Sequence, residues 1–280
     1  METLLSNHRG WLVPLPHLTP DSSCTPETIT AISLFQERAC ALAKDKITGK
    51  VSPGSFTFKR LSTGYIPQPT SVAFSQYGKD RSVDVFQPSD FTQAATSLDC
   101  EVEVIQAVVE QEAGIRGPWD ENGRPTILFE RHKFSGHTKA AWDLTHPDIS
   151  NPNWGGYGKF REQYAKLYRA ATLNEDAALK SASWGAFQIL GENHVQTGHA
   201  TLASFIDAMV NNVQAQLTAF VSFVSNDRRL KKALKDKDWT TFARIYNGPD
   251  YKKNNYDTAM ATIYRRLTAH KTPPPPKPGK

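Results

Sequence analysis

Glu110 and Glu112 stand two residues apart at the end of the apolar run Val102-Glu103-Val104-Ile105-Gln106-Ala107-Val108-Val109. On a helix turning about 100° per residue, Glu112 follows Ile105 by seven positions and returns to within about 20° of it, whereas Glu110 lies about 140° away, beside Glu103 and Gln106. Glu112 therefore ends the apolar stripe. A carboxyl at the margin of apolar surface loses hydration, which disfavours its charged form and raises its pKa. The partial negative charge at the C-terminal end of its helix pushes the same way. A carboxylic acid still protonated near neutral pH can donate its proton to a glycosidic oxygen, so Glu112 is the candidate general acid.

Two later stretches supply groups that could hold a sugar polymer. Ser183-Trp184-Gly185-Ala186-Phe187-Gln188-Ile189 offers, besides Ser183, a Gly at which backbone could approach a ligand and a Gln with both donor and acceptor for hydroxyl or N-acetyl groups. Tyr246-Asn247-Gly248-Pro249 offers an aromatic for stacking on a sugar face, then a turn. Each stretch alone has a plain structural reading: a turn entering a helix for the first, a helix stopped by Gly-Pro for the second. In this order after Glu112 they read as an acid catalyst followed by two pieces of wall around a polysaccharide groove.

The elements that must carry these groups are mainly helical. Thr25-Pro26-Glu27 has the form of a helix start, continuing through Ile29, Ile32, Leu34, Phe35 and Ala39. From Gly64 to Pro88, prolines, Ser and Gln with little periodicity read as a linker. Asp90 can cap a helix through Phe91, Ala94, Ala95 and Leu98, and the Glu112 helix follows. Asn122-Gly123 is a strong hairpin signal, with the strand-like Thr126-Ile127-Leu128-Phe129 after it. Tyr157 to Leu173 and Leu202 to Val224 are long periodic stretches, and the second sets Phe205, Met209, Val213, Leu217, Phe220, Val221 and Val224 inward as core. Thr272-Pro273-Pro274-Pro275-Pro276-Lys277-Pro278 should be an extended polyproline tail.

With 280 residues and 39% hydrophobic content the chain is long and apolar enough for one substantial domain plus a small one. A net charge of +5 implies an anionic partner, which nucleic acid, anionic lipid or an acidic bacterial envelope would satisfy. The one dense basic run, Asp227 to Lys235, reads as a solvated helix face with Leu230, Ala233 and Leu234 inward, so nucleic acid is not expected. Cys24, Cys40 and Cys100 are odd in number and lack CxxC spacing, which indicates neither a disulfide framework nor zinc. His132 and His137 have no evident third ligand, so no metal and no cofactor is expected. Met1 to Gly10 has an acid where a signal peptide wants basic residues, and no stretch approaches the roughly 18 apolar residues of a membrane span. The chain is expected to be made in the cytoplasm and delivered to its target by other means.

Across 90–269 the sequence resembles the phage and bacterial N-acetylmuramidase family of modular endolysins, a branch of the lysozyme-like superfamily. The resemblance rests on Ala107-Val108-Val109-Glu110-Gln111-Glu112-Ala113, on Gly123-Arg124-Pro125-Thr126-Ile127-Leu128-Phe129-Glu130-Arg131-His132, on Ser183-Trp184-Gly185 with Gln188-Ile189-Leu190-Gly191, and on Asp238-Trp239 through Tyr246-Asn247-Gly248-Pro249 to Asp257. It implies cleavage of peptidoglycan between N-acetylmuramic acid and N-acetylglucosamine, with the acid on Glu112. The loop from Glu112 to Gly123 is slightly longer than is usual in the family, and Asn122 stands where Asp is more common. A second-carboxylate role would therefore fall to Asp120 or Glu121, or to neither. Glu130, at the end of an apolar strand, is expected to support the groove or pair with a cation such as Arg131 before it does chemistry. Ile32-Ser33-Leu34-Phe35-Gln36 with Gly49 to Phe56 is similar to peptidoglycan-binding modules, and equally suits a helical accessory segment.

The expected protein is mainly α, a lysozyme-like α+β domain with one short β-hairpin plus a small helical N-terminal module. Residues 1–65 form the module, which on the resemblance could bind peptidoglycan, 66–88 a linker, 89–270 the muramidase domain and 271–280 a Pro-rich tail. The expected site comprises Glu112 as catalyst, with Ser183, Gly185, Gln188, Tyr246 and Asn247 binding substrate and Glu130, Asp120 and Glu121 accessory. A monomer acting on the bacterial wall is expected, as a lysin or as an injected effector with its immunity protein. One rival is a lytic transglycosylase, which uses the same acid but closes an anhydro ring; Glu-Gln-Glu-Ala differs from the Glu-Ser start common there. The other is a non-catalytic wall-binding or virion structural protein, for which Glu112 would be dispensable.

Overall fold

The computed structural model describes residues 24–38, 40, 46–53, 55, 57–58, 61, 80–114, 117–248, 251–252 and 255–269. The N-terminal stretch 1–23, Ala39, Gly54 and Phe56, most of the expected linker, Pro249, Asn254 and the Pro-rich tail lie outside them. Helix α1 spans Pro26–Arg38. Gln36 at its end organises the following loop: its carbonyl oxygen accepts from the Thr48 and Gly49 N–H groups at 3.0 Å, and its amide donates to the Lys50 carbonyl at 2.8 Å. The Phe-Gln and Gly-Lys pieces expected of a module are thus joined by one buried side chain.

Helices α2 (Pro88–Leu98) and α3 (Val102–Ala113) come next among the described helices. Asp90 does not cap α2 from outside; it sits within the first turn and accepts the Gln87 N–H at 2.7 Å. Helix α3 buries Val104, Ile105, Ala107, Val108 and Val109 completely or nearly so. It packs between α2 and the terminal helix α11 (Tyr256–Thr268). Strand β1 (Ile127–Phe129) follows, then α4 (Arg131–His137), α5 (Gln163–Leu173) and α6 (Glu175–Lys180). Strands β2 (Ala182–Trp184) and β3 (Ile189–Leu190) complete an antiparallel sheet of order β1-β2-β3, with Ile127 opposite Trp184 and Ser183 opposite Leu190.

The regular hairpin therefore forms across Gly185 to Gln188. The Asn122-Gly123 turn also forms, with Gly123 at φ +71°, but it is closed by a single bridge between Trp119 and Pro125. Asp120 accepts the Asn122 and Arg124 N–H groups, and Pro118 and Pro125 can donate nothing to a longer ladder.

The periodic stretch 202–224 is two helices, α7 (Leu202–Asn211) and α8 (Val213–Asn226). The break is at Asn212, in extended conformation, whose side chain accepts the Ala215 N–H at 2.8 Å. Asn at this position competes for backbone groups and restarts the helix. The segment 80–84 docks on the break. Arg81 donates to the Val210 and Asn211 carbonyls at 2.5 and 2.7 Å and to the Gly123 carbonyl at 3.0 Å, while Asp84 accepts the Val213 N–H at 3.0 Å. The ends of two helices and the Asn-Gly turn are thereby satisfied from one short stretch. Helix α9 (Arg228–Asp236) starts from an Asp227 cap and buries Leu230, Ala233 and Leu234, and α10 (Trp239–Tyr246) leads to the second turn motif. Among the described residues no helix is long and apolar enough to cross a membrane.

Candidate active site

Glu112 sits in the last turn of α3, and its carboxyl opens into a groove of about 730 Å³. The same groove is lined by Glu130, Ser183, Gly185, Gln188, Tyr246 and Asn247, so every expected binding residue meets the expected acid there. Glu110 points elsewhere and pairs with Arg266 on the exposed surface. Burial pushes the Glu112 carboxyl up to about 7, opposed by a hydrogen bond from Asn247 Nδ2 to Glu112 Oε1 at 3.3 Å. Asn247 is the cap residue at the end of α10, so the turn stopping that helix delivers the amide to the acid.

The sheet turn owes its glycine to a protein neighbour. Gly185 has φ +69°, and a Cβ there would lie 2.6 Å from Gln216 Oε1. Gln216 is fully buried, accepts the Ala186 N–H at 2.7 Å and donates to the Met209 carbonyl at 2.9 Å. Backbone approach to a buried amide is thus a further reason for glycine at this groove-lining position. Gln188 also has positive φ, at 48°, and its amide donates to the Gly185 carbonyl at 2.9 Å and the Thr126 carbonyl at 3.3 Å. It braces the turn that forms the groove wall.

Tyr246 is likewise a strut. Its hydroxyl donates to the Phe187 carbonyl at 2.7 Å, and its ring stacks on Phe242 at 5.3 Å between centroids. It fastens the two wall motifs to each other, a role different from an open sugar-stacking surface. Burial and the neighbouring Glu112 raise its phenol well above the usual range.

Glu130 closes β1 and is buried, which raises its carboxyl pKa, with nearby Lys133 opposing the rise. It accepts from Ser183 Oγ at 3.3 Å and lies 3.5 Å from His132 Nε2. Asp120 and Glu121 instead face a separate cavity of about 330 Å³ between α1 and α5. Asp120 is held there at 2.8 Å by the buried Arg124, whose guanidinium also covers the Tyr164 ring at 3.8 Å and reaches Glu37 of α1 at 3.5 Å. A geometric need for Asp120 in the turn accounts for it. Groove-lining Trp154 was not found from sequence, because it sits in an irregular segment with no periodicity to mark a face. Tyr157, expected to open a long helix, lies in irregular chain before that helix, which starts only at Gln163, and so faces the groove.

A buried carboxyl raised toward neutrality in a groove of mixed polar and aromatic lining is suited to donating a proton to the bridging oxygen of a sugar polymer. Comparison with known proteins agrees with that chemistry. Residues 101–268 match the family model described as N-acetylmuramidase. Among solved structures the chain is similar to one described as the crystal structure of the Burkholderia AP3 phage endolysin, at 30% identity and a TM-score of 0.62, covering 95% of this chain and 96% of that one. No curated protein sequence matches it. The matched segment holds Glu112 and every wall residue of the groove named above, and the chain belongs to the N-acetylmuramidase family of peptidoglycan-cleaving glycoside hydrolases.

Proposed function

We propose that Glu112 is the general acid of this muramidase, protonating the oxygen between N-acetylmuramic acid and N-acetylglucosamine as positive charge develops at the departing sugar carbon. The observation that carries this is its place in the groove wall, hydrogen-bonded by Asn247, where burial pushes the carboxyl up to about 7. Water completes the reaction, giving a reducing muramic acid end. Glu130 shapes the wall through Ser183, with His132 Nε2 at 3.5 Å, and it is the only other carboxylate lining the groove among the described residues. Asp120 and Glu121 take no part in the chemistry.

The biological role is that of an endolysin acting as a monomer, made in the cytoplasm and reaching the wall after release. Similarity over nearly the whole chain to a phage endolysin supports this above an injected effector with an immunity protein. The net charge of +5 supports adsorption to an anionic wall, which salt should weaken. Digestion of purified peptidoglycan followed by mass spectrometry of the products tests the reaction. Muropeptides with reducing muramic acid ends are expected; anhydro-muramyl ends would show ring closure in place of hydrolysis.

A further inference from the structure

Trp154 is 71% exposed, an unusual position for the largest apolar side chain. It is nonetheless held. Its indole stacks on the His132 ring with centroids 4.3 Å apart and an interplanar angle of 22°. His132 stands two positions after Glu130, in the first turn of α4, and offers a flat backing. Burial, aided by the charge of Lys133, keeps its pKa below the ordinary value. Neither of its ring nitrogens has a hydrogen-bond partner.

The loop around the indole is fixed against the same helix. On one side, the Asn151 N–H donates to the Arg131 carbonyl at 3.2 Å. On the other, Gly156 passes so close to Arg131 that a Cβ would lie 2.4 Å from the guanidinium carbon, and its φ of +69° suits glycine. One face of the indole is therefore covered by His132 while the ring as a whole remains largely open. Trp154 lines the groove that holds Glu112 and Glu130.

A rigid aromatic face turned to a polymer groove binds a flat apolar surface at little cost in conformational entropy. The C–H face of a pyranose ring is such a surface. Building on the glycan-cleaving reading above, we infer that Trp154 is a carbohydrate platform, taking one N-acetylhexosamine ring of the strand while the bond to be cut lies at Glu112.

Initial rates on soluble, uncross-linked peptidoglycan strands test this with the full-length chain and its Trp154→Ala and Trp154→Phe variants. A central aromatic contact of this kind gives an expected rise in KM of about ten-fold for Trp154→Ala, with kcat within about two-fold of wild type. Trp154→Phe should recover most of the loss, and an unchanged melting temperature for both should accompany it. In a Glu112→Gln background, adding strands should change the tryptophan fluorescence, and Trp154→Phe should abolish that change while retaining binding. An unchanged KM in Trp154→Ala, or a loss confined to kcat, overturns the platform. Should Glu112→Gln keep wild-type activity, the acid assignment fails and the KM comparison still decides Trp154.

Discussion

Asn247 Nδ2 donates to Glu112 Oε1 at 3.3 Å, linking residues 135 positions apart. The bond favours the ionised carboxylate and so holds the acid below the value that burial alone would set. Removing the amide in Asn247→Ala should raise the Glu112 pKa. The basic limb of the kcat/KM profile should move to higher pH, read from initial rates between pH 5 and pH 9 on one substrate. A limb moving to lower pH would contradict this geometry.

Glu112 also links pH to stability. Its native pKa is about 7, whereas an unfolded glutamate titrates near ~4.3. Below both values the group is neutral in either state. As pH rises through this window the unfolded chain ionises first, so the wild type loses stability and levels off above about pH 7. Glu112→Gln does not titrate and should gain on the wild type by about 3 kcal/mol at pH 8 relative to pH 4. Urea denaturation at the two pH values measures this, and parallel curves would place the carboxyl in water.

Gly185→Ala should disturb the groove from behind. A side chain at φ +69° is strained and would meet Gln216 Oε1. A loss of about 1–3 kcal/mol in denaturation is expected. The same variant should lower kcat/KM, because Gln188 and Phe187 share the turn. Gln216→Ala should lose stability too, since the Ala186 N–H is left without its acceptor.

Arg124 is 3% exposed, meets Asp120, Glu37 and the ring of Tyr164, and donates to the Tyr168 hydroxyl at 3.2 Å. Its removal leaves the partly buried Asp120 and Glu37 carboxylates uncompensated, and Arg124→Ala should cost about 3 kcal/mol of stability. Arg124→Lys should recover only part, because a lysine lacks the planar fork. The exposed Glu110–Arg266 pair gives the contrast: Glu110→Gln should change stability by less than about 1 kcal/mol.

Much of the site was legible because it depends on local periodicity. The phase of α3 separated Glu112 from Glu110 with Ile105 as the reference, and that phase is kept in the fold. The wall motifs were visible as turns, but their reasons were not. Gly185 answers to Gln216 and Tyr246 answers to Phe187, and such pairings are made between distant segments. Apolar spacing ran unbroken through Asn212, where the cap on Ala215 outweighs the pattern. Arg81 was hidden in an aperiodic stretch, as was Trp154. Their partners are backbone carbonyls and a histidine ring supplied by tertiary structure.

The central claim is that one of two neighbouring glutamates carries the chemistry. Glu112→Gln and Glu110→Gln, compared on purified peptidoglycan with sedimentation of wall-bound protein measured alongside, test it most directly. Glu112→Gln should abolish release of soluble muropeptides while sedimenting with the wall like the wild type, and Glu110→Gln should cleave normally. Retained cleavage by Glu112→Gln would contradict the account.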